Sequence, residues 1–109
     1  MYEQLKAALL DCTVIPLAEY EWSTRPAGAH GVFQLDFEAS DDNGDDLHQD
    51  RAWEGSIDLY TQGNAPLVWA AIERILDTYC EGCWYVNMTT VDSATRLLHR
   101  EYVFQLEAV

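Results

Sequence analysis

The chain has 109 residues, of which nineteen are Asp or Glu and six Lys or Arg, for a net charge of −13. That length is one domain, and an apolar fraction of 49% is enough for a single core. A field of this sign repels nucleic-acid phosphates and anionic lipid, which argues against a DNA reader and a membrane-surface protein. A basic protein partner, a DNA-facing surface that must not stick, and plain solvation of the exterior are all compatible with it.

Tyr2, Leu5, Leu9 and Cys12 recur at helical spacing, so the chain is predicted to open with a short amphipathic helix. No basic segment precedes it, and Asp11 and Pro16 interrupt its apolar character, so no signal peptide is expected. Thr13 to Tyr20 is β-branched and apolar and reads as a strand, with Pro16 favouring an edge or a strand start. Trp22 to Gly31 holds Pro26, Gly28 and Gly31 and reads as a loop.

Phe33, Leu35 and Phe37 alternate with Gln34 and Asp36, the pattern of a half-buried strand. The polar stretch Ser40 to Asp50 contains the turn signal Asn43-Gly44. Beyond it Trp53, Gly55, Ile57 and Leu59 share one strand face, and Glu54, Ser56 and Asp58 the other. The two strands are expected to form a hairpin with a long, solvated and mobile acidic tip. Asn64 is placed to cap a helix running to about Tyr79, with Pro66 in its first turn. Val68, Ile72, Ile75 and Tyr79 form its apolar stripe, widened by Trp69 and Leu76, and Gly82 is placed to end it. The stripe is expected to face Phe33, Phe37, Ile57, Leu59, Phe104 and Leu106. Trp84, Val86 and Met88 alternate with Tyr85 and Asn87 in a further strand, Asp92 to Thr95 reads as a turn, and a last strand puts Leu98, Tyr102, Phe104 and Leu106 on one face, with Arg100 as the polar exception. The whole is an α+β domain spanning 1–109: one mainly antiparallel or mixed sheet of four or five strands, a long helix packed on one face and a short N-terminal helix. The crossover through the second helix is long enough to join parallel neighbours.

Motifs with chemistry are few. Three cysteines are an odd number, which suits a reducing compartment better than a disulfide framework. Cys80-Glu81-Gly82-Cys83 has the spacing of a metal or redox pair, but it follows a helix C-terminus, where the dipole disfavours thiolate, and no second ligand pair accompanies it. No metal is expected there. Asp41, Asp42, Asp45 and Asp46 resemble a calcium loop in composition only. With Gly44 in the sixth position the loop would begin at Ala39, which offers no ligand, and end on Asp50 instead of Glu. His30, His48 and His99 are scattered, with no nucleophile beside any of them. Glu54 and Asp58 share a strand face that Glu101 can approach, a pattern commoner among solvated acids than in acid–base catalysis. No Gly-rich phosphate loop exists. The expectation is a protein with no catalytic residues and no cofactor.

The segment Trp53-Glu54-Gly55-Ser56-Ile57-Asp58-Leu59-Tyr60-Thr61 leading into a helix, with a hairpin closing on Leu98-His99-Arg100-Glu101-Tyr102-Val103-Phe104, resembles the small tail-completion proteins of long-tailed phages and prophages. These are the tail terminators and head–tail joining proteins, of which the lambda tail terminator is the familiar case. The resemblance lies in element order along nearly the whole chain. It implies an α+β protomer that assembles into a ring, often sixfold, at the end of the tail tube beneath the head. It further implies assembly in the bacterial cytoplasm and residence in the virion tail, contacts with other tail or connector proteins, DNA passing through without specific binding, and no membrane or small-molecule partner. The insert from Ser40 to Asp50 and the paired cysteines depart from that pattern. For partner contacts the sequence offers the acidic tip (Asp41, Asp42, Asp45, Asp46) and the aromatics Tyr60 and Tyr85. A second class remains open, since small acidic proteins also act as inhibitors or immunity proteins that present carboxylates to a basic partner such as a nuclease.

Overall fold

The structure is a computed structural model that describes residues 2–38 and 52–107. Its elements run α1 (Tyr2–Leu10), β1 (Leu17–Glu19), β2 (His30–Glu38), β3 (Ala52–Thr61), α2 (Pro66–Tyr79), β4 (Trp84–Val91) and β5 (Leu98–Glu107). The strands form one mixed five-stranded sheet in the order β1-β2-β3-β5-β4. Only β1 and β2 are parallel neighbours; the other pairs are antiparallel. The α+β class, the single sheet and the two helices are those expected from hydrophobic periodicity.

Both helices cover one face of the sheet. Leu5 and Leu9 of α1 and Ile72 and Leu76 of α2 are fully buried with Phe33, Ile57, Leu59, Tyr102 and Phe104. Ile72 and Leu76, four residues apart, form the centre of the α2 stripe, and Val68, Trp69, Ile75 and Tyr79 pack at its flanks, partly buried. A second tie holds α1 to β1. Tyr2 Oη donates to Glu19 Oε2 at 2.8 Å, and Lys6 Nζ meets Glu19 Oε1 at 3.0 Å.

Four local expectations are corrected. The first strand covers only Leu17–Glu19, because Pro16 has no amide hydrogen and Tyr20 turns to φ 68°. Pro16 sits just before the strand and accepts from Gly31 through its carbonyl, so the edge placement holds. The residue flanking α2 is Ala65, not Asn64, and no side chain caps the helix; Pro66 opens it, where an amide hydrogen is not needed. The crossover β3-α2-β4 does not join neighbours. Strand β5 inserts between them, antiparallel to both, giving a split β-α-β unit. Finally, the β2–β3 register shifts between Leu35 and Phe37. Phe37 stands opposite Glu54, one step out of phase with Leu35 opposite Gly55, so the strict alternation read along β2 is interrupted there.

Beyond α2 the chain turns through left-handed conformations at Glu81 (φ 52°) and Gly82 (φ 81°), and Cys83 donates its N–H to the Cys80 carbonyl. The helix ends at Tyr79 with Cys80 as its cap, and Glu81 is the first left-handed residue, so Gly82 lies one position beyond the place expected of a terminating glycine. The β4–β5 hairpin closes where expected, with Asp92 Oδ2 accepting from both the backbone N–H and the hydroxyl of Thr95. No helix of the described residues is long and apolar enough to cross a membrane.

Candidate functional site

The sheet face opposite the helices carries the polar half of each strand's alternation. Across its upper end, cross-strand register aligns His30 with Tyr60 and Tyr60 with His99. The three rings stack side by side, with centroids 5.0 Å apart for His30–Tyr60 and 4.5 Å for Tyr60–His99. Trp22 meets His30 edge-on at 6.3 Å and donates its indole N–H to the Gly31 carbonyl. Arg25 lies over Tyr60, its guanidinium carbon 4.7 Å from the ring centroid.

These contacts fold the 20–29 segment down onto the face. His30 is 1% exposed and has both ring nitrogens engaged: Nδ1 with the Gly28 carbonyl at 2.8 Å and Nε2 with Arg25 Nε at 3.0 Å. Since Arg is always a donor, Nε2 accepts and the ring proton sits on Nδ1. A histidine so committed has no free nitrogen for proton transfer. Between the segment and the sheet lies a cleft of about 250 Å³ lined by Tyr20, Glu21, Trp22, Arg25, Asp58 and Tyr60. It is smaller than usual small-molecule pockets.

One row further along, Asp58 pairs directly with Glu101 across β3–β5. The approach of Glu101 to the Glu54/Asp58 face is therefore real. His99 Nε2 meets Asp58 Oδ1 at 2.7 Å, and Asn87 donates to Glu101 at 2.8 Å. Burial raises the Asp58 carboxyl above the ordinary carboxylate range, opposed by the His99 hydrogen bond and reinforced by Glu101 and Asp36. Each acid on this row has a polar partner, the arrangement of a balanced sheet face.

A second polar network sits on the helix side. Tyr102 Oη donates to Glu73 Oε2 at 2.7 Å and accepts from Arg100 Nε at 3.0 Å, while the Arg100 guanidinium lies 4.3 Å from the Trp69 ring centroid. Arg100, the polar exception of the last strand, is thereby held between α2 and β5. Burial and the Glu73 hydrogen bond together raise the Tyr102 hydroxyl.

The paired cysteines differ in setting. Cys80 is buried in the core, and burial pushes its thiol up to about 12; Cys83 is exposed. Among the described residues, no group of three or more His, Cys, Asp or Glu side chains is placed to hold a metal ion.

The edges of the sheet complete the surface. β1 is three residues long, whereas β4 presents eight, Trp-Tyr-Val-Asn-Met-Thr-Thr-Val, without a single charge. Tyr85, Met88 and Val91 on it are exposed at 54%, 38% and 59%. Among the described residues β4 pairs on one side only, with β5, and of the partner-contact residues expected from sequence Tyr85 lies on this edge. Tyr60 is held inside the ring ladder, and Asp41, Asp42, Asp45 and Asp46 lie outside the described residues. The structure does not bring Tyr60 and Tyr85 together, since they stand in rows four β5 positions apart, opposite His99 and Val103. Sequence reading missed Arg25, His30 and His99 as a unit with Tyr60, because the register that aligns them joins residues far apart in the chain.

No protein-family model matches the chain, and no curated protein matches it in sequence.

Proposed function

We propose that this chain is a structural, non-enzymatic tail-completion subunit of the tail-terminator or head–tail joining kind, assembling with copies of itself into a ring at the end of a phage tail tube. The observation that carries this reading is the uncharged, eight-residue edge strand β4. A strand edge offers a row of unpaired N–H and C=O groups, and proteins that must stay monomeric blunt such edges with charge, proline or brevity. β4 has none of these; a bulge also blunts an edge, and the register shift between Val86 and Met88 is one such interruption, which leaves Met88–Val91 as the unbroken stretch. An edge left open in a chain of net charge −13 is a surface made for pairing with another polypeptide.

Three further features support the reading. The element order is the one on which the resemblance to tail-completion proteins rests. The His30–Tyr60–His99 ladder and the paired acids satisfy one another and have the character of scaffold, not of a reaction centre. The acidic exterior suits a channel through which DNA slides unbound.

The test is deletion of the gene from its parent phage, with electron microscopy of the lysate. Tails of abnormal length, or tails unattached to heads, are expected. Normal tails joined to heads would overturn the proposal, and salt-sensitive binding of the monomer to a basic nuclease would then favour an inhibitor.

A further inference from the structure

We infer that copies of this chain join head to tail through the two unlike edges of the sheet, β4 of one protomer against β1 of the next. The inference rests on the ring reading above and names its contact.

A sheet ordered β1-β2-β3-β5-β4 ends in two different strands. Pairing β4 with β4 is isologous and stops at a two-fold dimer; pairing β4 with β1 is heterologous and can close a ring. The strand directions suit the second arrangement. β1 runs parallel to β2, β2 antiparallel to β3, β3 to β5 and β5 to β4, so β4 points opposite to β1. A second copy continuing the sheet in the same orientation then sets its β1 antiparallel to β4, the more favourable pairing.

Exposed apolar side chains occur near both edges in the chain. The β4 side exposes Tyr85, Met88 and Val91. The α1–β1 side exposes Leu10 at 48% and Val14 at 47%. Charge favours the same surfaces. Two copies of net charge −13 repel over most orientations. β4 has no charged residue, and the one acid of β1, Glu19, is already paired with Lys6 and Tyr2. The register shift after Val86 divides β4, and beyond it Met88–Val91 is exposed at every position. That stretch is long enough to receive the three residues of β1. So short a ladder makes few hydrogen bonds, and the exposed apolar side chains supply the remaining contact.

The experiment uses two double variants, Met88→Glu/Val91→Glu on the β4 side and Leu10→Glu/Val14→Glu on the β1 side. All four positions are exposed, so folding is expected to survive, and circular dichroism checks it. Size-exclusion chromatography with light scattering should show the wild type as an oligomer at high concentration and each variant alone as a monomer. An equimolar mixture should give a heterodimer, because each variant keeps the one edge that the other lacks. A β1-side variant that dimerises by itself would overturn the inference in favour of β4–β4 pairing. Wild-type-sized oligomers from both variants, a mixture that stays monomeric, or a wild type that is monomeric throughout would also overturn it. The outcome is separable from the tail role. A heterodimer together with normal tails in the deletion strain would remove the tail role and leave the edge contact standing. Defective tails with ring size unchanged in both variants would do the reverse.

Discussion

Phe104 lays its ring over the bare Cα of Gly55, the residue directly opposite it across β3 and β5. A methyl group on Gly55 would meet the Phe104 Cζ at 2.5 Å and press into the backbone carbonyl of Gln34 on β2. Gly55→Ala is therefore expected to destabilise the protein by about 1–3 kcal/mol through overpacking. Gly31→Ala should cost less, since its nearest neighbours are the methyl ends of Leu17 and Leu59, which can rotate. Urea unfolding of both variants measures the difference, and equal losses would mean that the Phe104 ring and the β2 backbone at Gln34 both give way as readily as the leucine methyls.

Truncating the centre of the α2 stripe tests the core. Ile72 is fully buried against the sheet, so Ile72→Ala is expected to lower stability by about 2–5 kcal/mol. Leu67, 83% exposed on the same helix, is the internal control, and Leu67→Ala should change little.

The Tyr102 hydroxyl both donates to Glu73 and accepts from Arg100. Tyr102→Phe should cost about 1–3 kcal/mol, because both charged partners are left short of a hydrogen bond. Arg100→Lys should not preserve stability, since an ammonium cannot reproduce the planar stack on Trp69 together with the bond to Tyr102. Thermal denaturation of both variants reads these effects.

The thiols should separate kinetically. Cys83 is exposed, whereas Cys80 is buried with its thiol pushed up to about 12, so it holds almost no thiolate at neutral pH. Labelling with a thiol reagent at neutral pH should modify Cys83 first and leave Cys80 untouched until the protein is unfolded. Cys80 labelling as fast as Cys83 in folded protein would contradict this.

Two carboxyls should respond to acid with opposite sign. Hydrogen bonds from Tyr2 and Lys6 hold the Glu19 carboxyl below the ordinary range, so its contribution is present at neutral pH and lost as pH falls through the folded value. The stability advantage of wild type over Glu19→Gln should shrink on acidification. Burial raises the Asp58 carboxyl, so the folded state takes up a proton more readily there than the unfolded chain. That contribution is fully present below the unfolded value and is lost as pH rises through the folded one. Wild type should therefore gain on Asp58→Asn as pH falls. Urea midpoints of the three proteins at neutral and mildly acidic pH decide both signs.

Local pattern was legible wherever one residue's neighbours in sequence are also its neighbours in space. The alternation in β3, the 3.6-residue stripe of α2 and the Asp92–Thr95 turn each declare themselves within about ten residues. The same locality explains what was misread. Pro16 marked an edge, but not that Tyr20 would turn the chain out of the strand, and Asn64 had the chemistry of a cap but not the position.

The sequence by itself determined the α+β class, the single sheet, the face alternation of β3 and the negative net charge, because composition and periodicity are properties of the chain before it folds. Only the tertiary structure decided that β5 would insert between β3 and β4, leaving the uncharged β4 as the last strand of the sheet among the described residues. It alone brought Arg25, His30, Tyr60 and His99 into one ladder and set Asp58 against Glu101. Strand order and cross-strand register join residues tens of positions apart, and they follow from which arrangement buries the helix-facing side chains best, a comparison no local window contains.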